Sequence, residues 1–354
     1  MKKTHVFILL PLMLLLAACG TPQDAGSWPG VSVNEDASVA YVAYNQHVYA
    51  VQTANGAEAW RFPAESGSFS SYAPVQTGAD DNLLVSGYDH VFYSLDADTG
   101  SQQWAFSAGG NRYIGSALAV GQLVYAPNSD HKLYALDNRG SLQWSFTAGE
   151  PIWSQPTSDG STLYVASMDH MLYALDAQSG EELWSLDLGG TTVSNPLLGP
   201  DGMLYVGTLA QSVAAVDTTR GQITWSTETE GWVWGEAALV DDLLVIGDLE
   251  GYLYALDAAS GRQVWRGQTD GAITGAPTWF QDSLYVINEA GSLYAFSLDG
   301  RSRQLALPES YAGALYGTPV AAGDLLLLGL NGNDSVLIAL DSSGSVVWSF
   351  TPES

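Results

Sequence analysis

Three acid–imidazole pairs, Asp89-His90, Asp130-His131 and Asp169-His170, are the first places in this chain where side chains could do chemistry. A carboxylate beside an imidazole suits a divalent metal or a proton-responsive patch. The same two residue types also tolerate the unusual backbone angles of tight turns. All three pairs fall at one position of a repeated motif, where other copies have Glu250-Gly251 or Ala290-Gly291. Diverging repeat units would hold such turns apart, so the turn reading is preferred and no metal site is expected.

A second set is aromatic. Tyr72, Tyr113, Trp153, Trp232, Trp234, Tyr311 and Tyr316 lie in the connectors between repeats, near Glu150, Glu228, Glu230 and Glu236. Trp153, Trp234 and Tyr316 each stand three residues before the Pro or Ala that opens the next repeat. Gathered at one mouth, Tyr113, Trp153, Trp232, Trp234, Glu236, Tyr311 and Tyr316 would form an aromatic and acidic binding rim. Such a rim suits a peptide segment, a glycan or a small planar ligand. The alternative is that these rings pack over the tops of the repeats.

Lys2 and Lys3 precede an apolar run from Val6 to Leu16, too short to span a bilayer. Leu16-Ala17-Ala18-Cys19 then has the form of a lipoprotein cleavage site, and Cys19 is the only cysteine of the chain. Residues 1–18 are therefore expected to be a signal peptide and Cys19 the lipidation site. Residues 19–30 would be a flexible tether and 31–354 the folded body. A lipid anchor attaches a protein to a membrane without spanning it. Gly20 follows the cysteine where an Asp would suggest retention at an inner membrane. By analogy with lipoproteins of two-membrane bacteria, the expected address is the periplasmic face of the outer membrane. In a one-membrane cell it is the outer face of the plasma membrane.

The formal charge is −27, from 11 Lys+Arg against 38 Asp+Glu, and losing Lys2 and Lys3 with the leader makes it more negative. Such a surface repels nucleic acid and anionic lipid; it would suit a basic partner, divalent cations or a saline setting, and general solubility is the preferred reading. The lack of further cysteines removes disulfides despite export.

The elements that must position these residues are announced by tryptophan. Trp60, Trp104, Trp144, Trp184, Trp225 and Trp265 recur at steps of 44, 40, 40, 41 and 40 residues; a further 40 reaches Leu305 and 43 more reaches Trp348. A period near 40 signals stacked or radial units, none of which can bury its apolar face alone. Each unit reads as four strands. A short one opens at Pro74, Ala117, Pro156, Pro196, Ala237, Pro277 or Pro319. An apolar strand and a polar turn follow, then a strand such as Leu172 to Asp176. A tight turn comes next, with Gly56, Gly100, Gly140, Gly180, Gly221, Gly261 or Gly344, and then the tryptophan strand. Four antiparallel strands per 40 residues describe a propeller blade. The fold class is all-β, an eight-bladed β-propeller. The first unit starts at its inner strand and the last ends at its outer one, so closure is expected to rest on packing between blades eight and one.

The motif Ala174-Leu175-Asp176-Ala177-Gln178-Ser179-Gly180 through Trp184, and Ser94-Leu95-Asp96-Ala97-Asp98-Thr99-Gly100 through Trp104, resembles the PQQ-like repeat. The resemblance covers essentially the whole mature chain. It implies that Trp60, Trp104, Trp144, Trp184, Trp225, Trp265 and Trp348 dock on the next blade, with Leu305 leaving the seventh contact in question. Quinoprotein alcohol dehydrogenases share the repeat but add long insertions, calcium-binding acids and a cysteine pair. Here the loops are short and there is no cysteine pair, nucleophile elbow or haem-attachment motif. No enzyme activity and no cofactor, PQQ included, are carried over. Leader, blade number and repeat together resemble the BamB family of outer-membrane assembly lipoproteins. That resemblance implies a monomeric, non-catalytic scaffold with an envelope protein partner, such as the β-barrel assembly machinery. The alternative is a propeller module binding PQQ, another small ligand or a glycan.

Overall fold

The structure is a computed structural model that describes residues 29–311 and 313–353. The expected signal peptide, Cys19 and most of the tether lie outside the described residues. The described residues form eight four-stranded antiparallel sheets, each with its strands in sequence order. The first blade is Gly30–Val33, Val39–Tyr44, His47–Gln52 and Glu58–Phe62; the eighth is Val320–Ala322, Leu325–Gly329, Leu337–Leu340 and Val346–Phe350. Among the described residues the only other elements are two single-turn 3-10 segments, Ala79–Asp81 and Glu309–Tyr311. Among the described residues no helix is long and apolar enough to cross a membrane.

Strand position explains strand composition. In the fourth blade the third strand, Met171–Asp176, is buried at all four central residues. A blade is covered on both faces by its neighbours, so this strand reads as a continuous apolar run. The outermost strand, Glu182–Asp187, alternates between exposed and half-buried residues. The core is correspondingly divided among the seams. Eight apolar clusters each join two neighbouring blades. The seam between blades eight and one is built like the others, with Val31, Val42, Tyr49 and Val51 against Leu327, Leu337, Trp348 and Phe350. Each such side chain contributes about 1.5–3 kcal/mol when fully buried.

The tryptophans bridge the seams. Indole N–H groups donate to carbonyl oxygens in the turn of the next blade: Trp60 to Ala97 at 3.0 Å, Trp104 to Asn138 at 2.9 Å, Trp184 to Thr218 at 3.1 Å, Trp225 to Ala258 at 3.0 Å and Trp265 to Leu298 at 2.8 Å. Trp144 differs. Its ring lies on Gly180, but its buried N–H has no partner. The nearby carbonyl of Ala177 takes the Tyr125 hydroxyl instead, at 2.8 Å. Gly180 is needed twice over: its φ is +71°, and a Cβ there would fall 2.5 Å from Trp144.

The seventh blade departs in register as well as in residue type. Seven blades carry a β-bulge just beyond the residue that pairs with tryptophan, as at Ala174/Leu175. The seventh has none. Without the extra residue, Arg303 pairs with Ala295 in the place of an indole, and Leu305 pairs two residues farther on with Leu293. The side chain of Leu305 nevertheless reaches Gly344 of the eighth blade, so the contact is aliphatic and lacks a hydrogen bond to the turn.

Candidate functional site

Antiparallel strands send the connectors between blades and the turns between second and third strands to one end of the propeller. Backbone bonds tie the two sets together. Met168 N–H donates to Pro151 O, Leu209 to Thr191, Leu249 to Trp232 and Glu289 to Ala272. Counted back four residues from the first paired residue of each innermost strand, Tyr72, Ile114, Trp153, Val193, Trp234, Thr274 and Tyr316 occupy one position of successive connectors. They form a mostly apolar collar at the mouth of the axial channel.

Two residues deeper, Ser116, Gln155, Asn195, Glu236, Ala276 and Thr318 share the next position that faces the axis. These residues link blade to blade. Ser116 Oγ donates to Pro74 O at 2.8 Å and Gln155 Nε2 to Ala117 O at 2.9 Å. Gln155 N–H donates to Asn195 Oδ1 at 2.7 Å, and Asn195 Nδ2 to Glu236 Oε2 at 3.3 Å. Glu236 is half-buried. Its crowded surroundings disfavour the charged form and push its carboxyl up to about 7, against a smaller opposing effect of the Asn195 amide.

Of the aromatics expected at a rim, the structure brings Trp234 and Tyr316 to one hollow. Leu249, Thr274, Glu289 and Gly317 complete its wall, and its volume is about 230 Å³. Trp153 sits in the same collar on the fourth blade, its indole N–H buried without a partner. Trp232 is on the outer connector surface, 53% exposed. Tyr311 packs against the core between blades seven and eight. Tyr113 corrects the expectation. It is fully buried between blades two and three, because it stands one residue before the collar position of its connector and packs into the seam. Glu230 is held at the surface by Arg266 at 2.9 Å. Leu249, Thr274 and Glu289 were not singled out from sequence, although the repeat register that relates Trp234 to Tyr316 also locates them.

The Asp-His pairs are turn devices. His90, His131 and His170 adopt φ of 70°, 72° and 75°. Asp130 Oδ2 accepts from the Tyr134 hydroxyl at 2.6 Å and from Gly110 N–H at 2.7 Å, and Asp169 does the same with Tyr173 and Gly149, both at 2.6 Å. In the sixth blade Asp248, two positions earlier, replaces them and accepts from Gly231 N–H and the Tyr254 hydroxyl, both at 2.8 Å. Among the described residues no three His, Cys, Asp or Glu side chains are grouped to hold a metal.

The opposite end carries the turns that run from an Asp to a Gly, such as Asp176 to Gly180. Asp176 Oδ1 accepts from the hydroxyl and N–H of Ser179, both at 2.8 Å, which hold its carboxyl below the usual range. A hollow of about 790 Å³ lies at this end between blades one and two, beside Glu35, Asp36, Asp81 and Asp98. Asp36 there is engaged by the Ser38 hydroxyl and N–H in its own turn.

No curated protein matches the chain. Among solved structures, BamB from Moraxella catarrhalis superposes with a TM-score of 0.70 at 18% identity, covering 85% of this chain and 90% of that one. The computationally designed Ika8 protein superposes with a TM-score of 0.75 at 11% identity, covering 90% and 97%. At these identities the likeness concerns the fold. The family model described as outer membrane protein assembly factor BamB matches residues 22–151 and 134–350, and the chain belongs to that family.

Proposed function

We propose that this protein is a non-catalytic, lipid-anchored scaffold outside the cytoplasm that holds protein partners during outer-membrane β-barrel assembly. The observation that carries this reading is the family match, which runs through every blade from first to last. The molecule has the matching physical character. Its side chains are spent on seams and turns, and the end bearing the connectors offers exposed apolar surface at Trp232 beside the collar. Rigid sheets with short loops present such a surface at little entropic cost. Cys19 supplies the anchor in this reading, the protein is a monomer, and it works without PQQ or another cofactor. The test is a photo-crosslinking residue in place of Trp232 in cells that acylate the chain. Recovery of a barrel-assembly component supports the proposal, and recovery of none overturns it. Cys19→Ala should move the protein from the membrane to the soluble fraction.

A further inference from the structure

We propose that the hollow walled by Trp234, Leu249, Thr274, Glu289, Tyr316 and Gly317 is a binding site for an alkylammonium group the size of a lysine side chain. The inference goes beyond the scaffold reading and does not depend on it.

Four observations converge. The volume of about 230 Å³ lies below the roughly 300–1,000 Å³ of pockets for drug-sized ligands, so the hollow suits one side chain or a small head group. Two of its walls are an indole and a phenol, whose faces attract cations within about 6 Å of their centres. Glu289, exposed at the edge, supplies a carboxylate. Its field reaches the hollow: after burial, the charge of Glu289 is the other cause raising the Tyr316 hydroxyl above its ordinary value. Thr274 and Leu249 complete the wall, the leucine offering an apolar surface to an alkyl stem.

The alternatives fit less well. An anion would meet Glu289 on a chain of formal charge −27. A neutral apolar group would cover the Glu289 carboxylate without pairing it, and unpaired polar groups are costly to bury. Trp234 and Tyr316 belong to blades that flank the seventh, where Thr274 is the small collar residue. Thr274 between two large rings is what opens the space.

The test uses the full chain in mild detergent, labelled with 5-fluorotryptophan, with the Trp234 resonance assigned from Trp234→Phe. Titration with n-butylammonium chloride should shift that resonance saturably at constant ionic strength. Neither 1-butanol nor butanoate should match it. Glu289→Gln, a change at an exposed residue, should weaken butylammonium binding roughly two- to fivefold. Equal binding of 1-butanol, or an unchanged dissociation constant in Glu289→Gln, overturns the proposal. Acetyl-Gly-Lys-Gly-amide separates the sources of the group. Tighter binding than butylammonium identifies a polypeptide lysine, and equal binding identifies a free amine. Equal binding by the norleucine peptide overturns the proposal. None of these readings requires an assembly partner, so failure here and failure of the crosslinking test are distinguishable.

Discussion

The indole N–H of Trp348 in the last blade donates to the carbonyl oxygen of Thr53 in the first, at 2.8 Å and across 295 residues of sequence. The same ring lies on Gly56, where a Cβ would come within 2.6 Å. Arg61 of the first blade donates to Glu353 O at 2.8 Å. The first and last sheets exchange no strand. The ring is therefore closed by side-chain packing and a few hydrogen bonds, whereas every other seam is also spanned by the chain.

Trp348→Ala should accordingly open the ring, while Trp184→Ala should loosen a seam that the chain still ties. Truncating a buried aromatic costs about 3–5 kcal/mol in either place. The difference is expected in limited proteolysis: the first blade of Trp348→Ala becomes cleavable under conditions where Trp184→Ala is cut later. Equal cleavage of the two variants would place closure elsewhere.

Trp104 and Trp144 should respond differently to phenylalanine. Trp104→Phe removes the bond to Asn138 O and leaves a carbonyl without its donor, at about 1–3 kcal/mol. Trp144→Phe removes an N–H that is already buried and unpaired, so the hydrogen-bonding loss is absent. Both lose similar ring area. The urea midpoint should fall more for Trp104→Phe with the denaturant slope unchanged; the reverse order would show that Trp144 has a partner in solution.

The seventh seam should be where the ring opens first. Its outer strand, Ser302–Leu305, has four residues against six for Glu182–Asp187, and it has no indole. Local openings start where apolar contacts and paired backbone are fewest. Hydrogen exchange should be faster at Tyr294 and Leu293 than at Tyr173 and Leu172 of the fourth blade. Equal protection would mean that Leu305 on Gly344 substitutes fully for tryptophan.

Much of this architecture was legible in the sequence because each blade repeats the same solution. The tryptophan step gave the blade count, and the turn glycines marked the places where an indole comes to rest. The lost register of the seventh blade was less visible. A 40-residue step lands on Leu305, but strand pairing puts Arg303 opposite Ala295, since spacing along a chain does not reveal a missing bulge. The rim was half legible for a related reason. Connector aromatics look alike in sequence, yet neighbouring positions of the connector differ in whether they line the mouth or enter a seam. That difference buries Tyr113 and presents Trp234 and Tyr316. The hollow beside them depends on Thr274 being small, a feature that acquires meaning only once its neighbours across two seams are known.

Glu236 should impose a pH dependence on stability that Glu236→Gln removes. Its carboxyl titrates near 7 in the fold against an ordinary value of 4.5, the cause being burial at the channel wall. A folded value above the unfolded one means that the native state holds the proton more tightly. The associated stability is complete below about pH 4.5 and is lost as pH rises through 7, amounting to roughly 3 kcal/mol at most. Other groups titrate alike in both proteins, so the informative quantity is the difference between them. Wild type and Glu236→Gln should have similar urea midpoints at pH 4.5, since a neutral amide still accepts from Asn195. At pH 8 the variant should be the more stable, by an amount that grows between pH 5 and 8. Parallel curves across that range would mean that the carboxylate is hydrated in the channel and pays no penalty for its position.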